Sequence, residues 1–342
     1  MSEIIVSDPG QIERLGKAAN HIAAKHALAH YRDGKAGNTL RRQDADLALF
    51  ADFLQSMDIA TDGPALASDP TAWRGMTWGL VAGFVQWMLQ AGYATGSVNV
   101  RLSTVKTYAK LASKSDALDK LEYLQIKDVS GYSRKERKHV DEKRQSAGSE
   151  TRIGAKKAHN TELSDDQARA LKHQPDTPQG RRDAVLMCLL LDHGLRCGEI
   201  ALLKVTDVDL KAGQLRFYRP KVDIEQTHDL SADSKHALAA WFGHDAPAVG
   251  PLLRASRKGG ALTRAGMTER AITKRVHDLG AHIGVERLSA HDCRHFWATY
   301  WSQRLDRLPR GILQLQEAGG WRSLAMPRKY AAASEIANKG MV

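Results

Sequence analysis

Through roughly the first 115 residues, apolar side chains return every third or fourth position, the spacing that lines one face of an α-helix. Residues 39–57 place Leu47, Phe50, Leu54 and Met57 on one such face, with Thr39 positioned as an N-cap. Residues 72–92 repeat the pattern with Trp73, Met76, Leu80, Phe84, Val85 and Met88, and close at Gly92. A third stripe, Val98, Leu102, Val105 and Ala109, runs through residues 97–113. Between residues 127 and 160 the periodicity lapses. The segment KDVSGYSRKERKHVDEKRQSAGSETRIGAKKAHN is charged, contains Gly and Ser and is poor in large apolar side chains, the composition of a linker.

Regular patterning returns with 164-SDDQ-167, a capping-box sequence that opens a helix. An apolar helix over 184–194 follows, with Gly194 placed to stop it, and 195–210 reads as a short helix leading into a turn. Residues 214–230 alternate with a period of two on both sides of a Pro-containing turn, which predicts a small hairpin. Helices are predicted again at 232–243, 268–283 (with Ile272, Val276, Leu279 and Ile283 inside), 291–303 and 311–318. The sum is a mainly α chain whose second half is α+β with a small β-hairpin. A length of 342 residues favours two domains over one core.

Charge adds a partner class to this outline. The formal net charge of +11 points to a polyanion, and nucleic acid is the polyanion favoured here. A membrane partner is not expected: the sequence has no long uncharged apolar run, no lipidation motif and no signal-type N-terminus. Three cysteines, Cys188, Cys197 and Cys293, form no C-x-x-C pair and suit a reduced, cytoplasmic setting. Arg41 and Arg42, with Arg101, Lys106 and Lys110 on the third helix, are candidates for DNA contact; a solvated basic face is the alternative reading.

The stretch 291-HDCRHFW-297 carries the first candidate chemistry. His291 and His295 stand four apart with an acid after the first, one residue type away from the zinc-peptidase pattern H-E-x-x-H. Zinc would need a third ligand, and the downstream sequence offers no H-x-x-G-x-x-H extension. Arg294 would also set a fixed positive charge beside the metal, whereas an arginine there suits an anion. Two more features lie outside this stretch: Arg196 and Glu199 in 195-LRCGEI-200, and the glycine pair, Trp321 and Tyr330 in 318-AGGWRSLAMPRKY-330.

The order R-x-x-E, hairpin lysine, H-x-x-R, G-[HW], then Tyr resembles that of the tyrosine recombinases, the phage-integrase family, over roughly residues 17–335. TLRRQDADLALFADFL and GYATGSVNVRLSTVKTYAKLA likewise resemble the family's helical core-binding domain. The resemblance implies an N-terminal segment (1–14), a SAM-like helical core-binding domain (15–125), a basic linker (126–160) and a catalytic domain (161–342), closing on duplex DNA as a C-shaped clamp. It implies a site-specific DNA recombinase that cuts and rejoins strands through a 3′-phosphotyrosine, with no metal or nucleotide cofactor.

By the same resemblance, Tyr330 is the nucleophile, Arg196 and Arg294 grip the phosphate, and His291 is an acid/base group. Lys221 protonates the leaving 5′-hydroxyl, although Lys211 and Arg219 lie close by; Trp321 replaces a common histidine as a hydrogen-bond donor. Glu199 and His295 are expected to support the site, and Glu199 to orient His291 or the backbone around Arg196. Cys197 and Cys293 are expected as small buried fillers, and Trp297 and Trp301 as core.

Expected partners are DNA recombination sites, a homotetramer in the synaptic complex and accessory DNA-bending or directionality proteins. Residues 331–342 are a candidate for packing on a neighbouring protomer, and no arm-binding domain is expected before residue 15. The alternatives are DNA relaxation of the type IB topoisomerase kind, a catalytically silent DNA-binding protein on the same fold and, most remotely, a zinc hydrolase.

Overall fold

The computed structural model describes residues 9–148 and 160–332; most of the segment assigned above to packing on a neighbour lies outside them. The chain divides into two compact units, Met1–Lys157 and Ala158–Val342.

The first unit is helical among its described residues: α1 (Pro9–Lys25), α2 (Ala27–Asp33), α3 (Gly37–Gln55), α4 (Gly63–Ser68), α5 (Trp78–Gln90), α6 (Thr95–Lys114), α7 (Lys120–Asp128) and α8 (Arg134–Ser146). The predicted stripes meet in one core of Leu47, Phe50, Leu54, Trp73, Phe84, Met88, Val98, Val105 and Ala109. Phe50 and Phe84 pack with ring centroids 5.0 Å apart, and the Trp73 indole donates to the Leu66 carbonyl at 3.0 Å. Three details differ from the pattern. Thr39 lies inside α3 and does not cap it, because the helix starts at Gly37 with Ala36 as its N-cap. Met57 lies beyond the end of α3 and is 41% exposed. The second stripe is interrupted: Gly75 turns through φ +74°, Thr77 caps the chain, and α5 starts at Trp78 rather than near residue 72.

The charged stretch expected as a linker contains α8, started by a reciprocal capping box between Ser133 and Glu136. None of its residues is buried. It is tied down by Arg144, whose guanidinium donates to the carbonyls of Tyr93 at 3.0 Å and Leu89 at 2.7 Å.

The second unit begins with α9 (Asp165–Lys172), entered through the Ser164–Gln167 capping box, followed by α10 (Pro178–Leu191) and α11 (Cys197–Leu202). The strands β1 (Val208–Asp209), β2 (Gln214–Arg219) and β3 (Ile224–Asp229) form an antiparallel sheet in that order. Along β2 the inward positions are Leu215, Phe217 and Arg219, so an arginine takes the third core-facing place of an alternating strand. Then come α12 (Ala232–His244), a second hairpin of β4 (Arg254–Ser256) and β5 (Leu262–Gly266), α13 (Glu269–His282), α14 (Ala290–Ser302), α15 (Gly311–Gly319) and α16 (Ala325–Ala332). The second hairpin has no counterpart in the sequence reading.

Seven consecutive residues of α10, Val185–Leu191, are buried, which makes it the central helix. Around it lie Ile200, Leu215, Phe217, Trp241, Leu252, Ile272, Val276 and Cys293. A smaller cluster of Trp297, Ala298, Leu315 and Tyr330 joins α14, α15 and α16 beside it. Among the described residues no helix is long and apolar enough to cross a membrane.

Phe84 has no exposed surface and contacts rings from two other core positions. Phe84→Ala should therefore lower stability by about 3–5 kcal/mol, read from the urea midpoint; a change under about 1 kcal/mol would mean the site is not packed as described.

Candidate anion-binding site

The histidine–arginine stretch sits on the first turns of α14. Ser289 caps the helix and Asp292 answers it: the Asp292 carboxylate accepts from the Ser289 amide at 2.8 Å and hydroxyl at 2.7 Å. Its other oxygen accepts from the Thr161 amide at 3.0 Å. The acid that suggested a metal motif is thus buried in a helix cap. Among the described residues, no three His, Cys, Asp or Glu side chains are grouped so as to hold a metal ion.

Arg294, one turn along, is 3% exposed. Its two terminal nitrogens donate to the backbone carbonyls of Gly194 and Gly319, and its guanidinium lies 4.9 Å from the Trp321 ring centre. Gly194 has φ +61°, and a Cβ there would fall 2.4 Å from the Trp297 ring, so only glycine both ends α10 and admits α14 so closely. Burial, and then repulsion by Arg196 and Arg219, lowers the Arg294 pKa to about 9, which still leaves it cationic at neutral pH.

Arg196 precedes α11, and Glu199 reaches back from the helix to hold it. The carboxylate accepts from the Arg196 amide at 2.8 Å and from its guanidinium at 2.7 Å. Glu199 does not contact His291; its other partner is Arg219, whose Nη1 donates to both carboxylate oxygens at 2.9 Å. Arg219 is 0% exposed and Glu199 2%. The remaining Arg219 donors go to the Gln226 side chain and, at 2.7 Å, to the Ala318 carbonyl. The sequence reading named Arg219 only as a neighbour of Lys221; its inward place in the β2 alternation was the signal that could have singled it out.

α15 ends in a Schellman turn. Gly320 adopts φ +58°, its amide bonds to Glu317 at 2.8 Å, and the Trp321 amide bonds to Gln316 at 3.1 Å. A Cβ on Gly320 would meet the Arg219 side chain at 2.6 Å. Three successive carbonyls there take side-chain donors from elsewhere: Glu317 from Gln226, Ala318 from Arg219 and Gly319 from Arg294. The helix C-terminus, a site of partial negative charge, thereby holds two buried guanidiniums.

Tyr330, on α16, is 6% exposed, and its ring stands 5.7 Å from that of Trp321 and 5.1 Å from that of His295. His295 Nε2 and His291 Nε2 are 3.1 Å apart, a hydrogen bond in which one ring nitrogen must be protonated and the other bare. Burial lowers the His291 pKa; Arg294, Arg196 and Lys221 lower it further, and Asp292 opposes them. Burial followed by His291 lowers the pKa of His295. For Tyr330 burial raises the phenol pKa, while Arg294 and Arg196 pull it back. The Tyr330 and His295 side chains also line a cavity of about 560 Å³ with Asn160, Thr299, Met326 and Lys329.

Lys221 is exposed in the β2–β3 turn, close enough for its charge to act on His291. Cys293 is buried, whereas Cys197 is only half-buried and lies 3.7 Å from the Thr273 hydroxyl. Trp297 is buried, and Trp301 packs against the same cluster while partly exposed.

In the first unit the basic candidates separate into three groups. Arg42 and Arg101 turn to Asp46, Arg42 at 2.7 Å and Arg101 at 3.9 Å, and Arg101 also covers the Tyr93 ring. Arg41 is exposed and bonded to Asn38. Lys106 and Lys110 line a concave trough of about 800 Å³ with Asn99, Lys127 and Tyr132; the Lys106 ammonium donates to the Lys127 carbonyl at 2.7 Å.

Paired guanidiniums, paired imidazoles and a phenol are thus grouped in one region, a set of side chains chemically suited to an anion. The family model described as "Phage integrase family" matches residues 161–336, just over half of the chain and all of the site. The chain belongs to the phage integrase family of tyrosine recombinases. It is 32% identical over 162 residues to tyrosine recombinase XerC of Chromohalobacter salexigens, covering 45% of this chain and 49% of that protein. It is 30% identical over 149 residues to XerC of Vibrio parahaemolyticus, covering 42% and 46%. The chain spans about half the length of the curated relatives it matches.

In fold it is similar to the Tn1549 transposon integrase in complex with transposon right end DNA, with a TM-score of 0.59 and 13% identity over 92% of this chain and 96% of that one. It is also similar to a lambda integrase dimer bound to a core site, with a TM-score of 0.57 and 13% identity over 90% and 96%. Like these, it is mainly helical with small antiparallel sheets.

Glu199→Ala would leave Arg219 buried without its counter-charge. Urea unfolding should show a loss of about 3–5 kcal/mol; a loss near zero would mean that the pair is open to water.

Proposed function

We propose that the chain is a site-specific DNA recombinase that breaks and rejoins strands through Tyr330. The observation that carries this reading is convergence: α11, α14, the turn after α15 and α16 bring Arg196, His291, Arg294, Trp321 and Tyr330 around one spot. The match of the family model over the whole of that region supports it. The first unit, with its lysine-lined trough, is taken as the core-binding domain, and the second as the catalytic domain. The DNA-bound relatives in fold support DNA as the partner.

In the reaction, the Tyr330 oxygen attacks the scissile phosphorus, the bond to the 5′-oxygen breaks, and a 3′-phosphotyrosine forms. The phenol proton passes to the histidine pair, His291 acting as the acid/base group, and Lys221 supplies a proton to the leaving 5′-oxygen. Arg196 and Arg294 stabilise the charge that grows on the non-bridging oxygens, with Trp321 as a further N–H donor. One diester is exchanged for another, so no nucleotide is needed to drive resealing, and the arginines supply the charge stabilisation that a metal would. Attack on the phosphotyrosine by a 5′-hydroxyl from another duplex completes the exchange. Four protomers on two sites would carry out both pairs of exchanges.

Incubation with nicked suicide DNA should give a covalent protein–DNA adduct that survives a chelator. Tyr330→Phe should abolish the adduct while DNA affinity stays nearly unchanged; an adduct that persists in this variant identifies another nucleophile. An adduct lost on chelation restores the metal reading, and relaxation of supercoiled DNA without two-site recombination favours the topoisomerase-like alternative.

The rate should also depend on pH. A base must be neutral, and the His291 pKa is lowered, so activity is present above that pKa and is lost as pH falls through it. With DNA limiting, the acid limb of adduct formation should lie below the ordinary histidine value of about 6.5. A limb above that value would remove His291 from this role.

A further inference from the structure

We infer that Arg219 is a positioning residue for the phosphate site: it shares the Glu199 carboxylate with Arg196, so that this anion does not neutralise the guanidinium that must face DNA. This deepens the strand-transfer reading and rests on it.

The geometry excludes a direct role. Arg219 has no exposed surface, and all three of its nitrogens are engaged, by Gln226, by both oxygens of Glu199 and by the Ala318 carbonyl. It can act only through what it holds. Glu199 lies between two guanidiniums, and Arg294 brings a third charge to the same buried region. One carboxylate against three guanidiniums leaves two positive charges unmatched, in a setting where charge is poorly screened. Removing Arg219 would leave Glu199 and Arg196 as a simple neutral pair and weaken the stabilisation of charge that grows on the phosphate oxygens during strand transfer. Arg219 also grips the carbonyl next to the one that holds Arg294, and it precedes Lys221 by two residues. A planar fork with donors in three directions can make these ties together; a lysine cannot.

The charged and titratable groups around His291 give a readout of this charge balance. They are Arg294, Asp292 and His295 on its own helix, Arg196 at α11 and Lys221 on the hairpin. Unmasking Glu199 beside Arg196 should favour the protonated imidazole and move the acid limb to higher pH.

The test compares wild type, Arg219→Met, Arg219→Lys, Glu199→Gln and the double variant Arg219→Met/Glu199→Gln. Single-turnover adduct formation is measured on saturating suicide DNA, alongside DNA affinity, the pH profile at limiting DNA and Tm, with all rates taken well below each Tm. Arg219→Met should slow adduct formation by about 100-fold, the scale of a misplaced catalytic group, with DNA affinity nearly unchanged. Its acid limb should move upward. Removing the Glu199 charge as well should recover most of the rate and return the limb to its wild-type position. Arg219→Lys keeps the charge, so it should slow the reaction while leaving the limb in place.

A double variant no faster than Arg219→Met, or an acid limb that stays put in Arg219→Met, overturns the inference. So does a limb that moves as far with Lys as with Met. If wild type itself forms no adduct, the strand-transfer reading falls and this inference with it; adduct formation without rescue removes the inference alone.

Discussion

The end of α15 is the point on which the second unit's site depends. A helix finishes with carbonyls short of partners within it: those of Ala318 and Gly319 take donors from Arg219 and Arg294, and that of Glu317, already bonded to the Gly320 amide, takes a second from Gln226. These donors come from the hairpin and from α14, so three elements far apart in sequence are fixed by one turn of backbone. The same turn carries Trp321, which lies against both Arg294 and Tyr330. A guanidinium buried without acceptors would be strongly unfavourable. Here each is held by carbonyls, a carboxylate or both, and still has no full counter-charge.

That incomplete neutralisation ties the site's stability to its proposed use. Buried positive charge disfavours the empty fold, and a phosphate entering the site relieves it. The lowered pKa of Arg294 expresses the same tension from the side of the protein. The neighbouring imidazole responds in the same direction: burial lowers the His291 pKa first, and the charges that would attract a phosphate lower it further. The charges suited to an anion thus also contribute, after burial, to the shift that favours a neutral His291.

Much of this was legible in the sequence, and for identifiable reasons. Helical stripes in the first unit survive as its core because burial enforces the period. Arg196, His291, Arg294 and Tyr330 stood out because their types and order are chemically distinctive. The structure brings them together, and also moves Asp292 out of the site into a helix cap. Helix α8 was hidden because it buries no face: its order comes from a capping box and from Arg144 on backbone carbonyls, neither of which makes an apolar period. The second hairpin was hidden by strands of only three and five residues.

Arg219 shows a different kind of illegibility. Two residues before Lys221, it looked like a competing candidate for the same surface role. Its side chain points the other way because strand alternation puts residues 215, 217 and 219 on the core face. A charge on that face is tolerable only where the fold supplies a carboxylate and a helix end to meet it, and both come from segments 20 and 99 residues away. Alternation marks such a residue as core-facing, but the partners that make its charge tolerable there are tertiary and lie outside any local pattern. The glycines around it follow the same logic: Gly320 leaves room for the Arg219 side chain, and Gly194 and Gly319 offer carbonyls to Arg294. The glycine pair that reads in sequence as a motif before Trp321 is, in structure, the space and the acceptor that two buried arginines require.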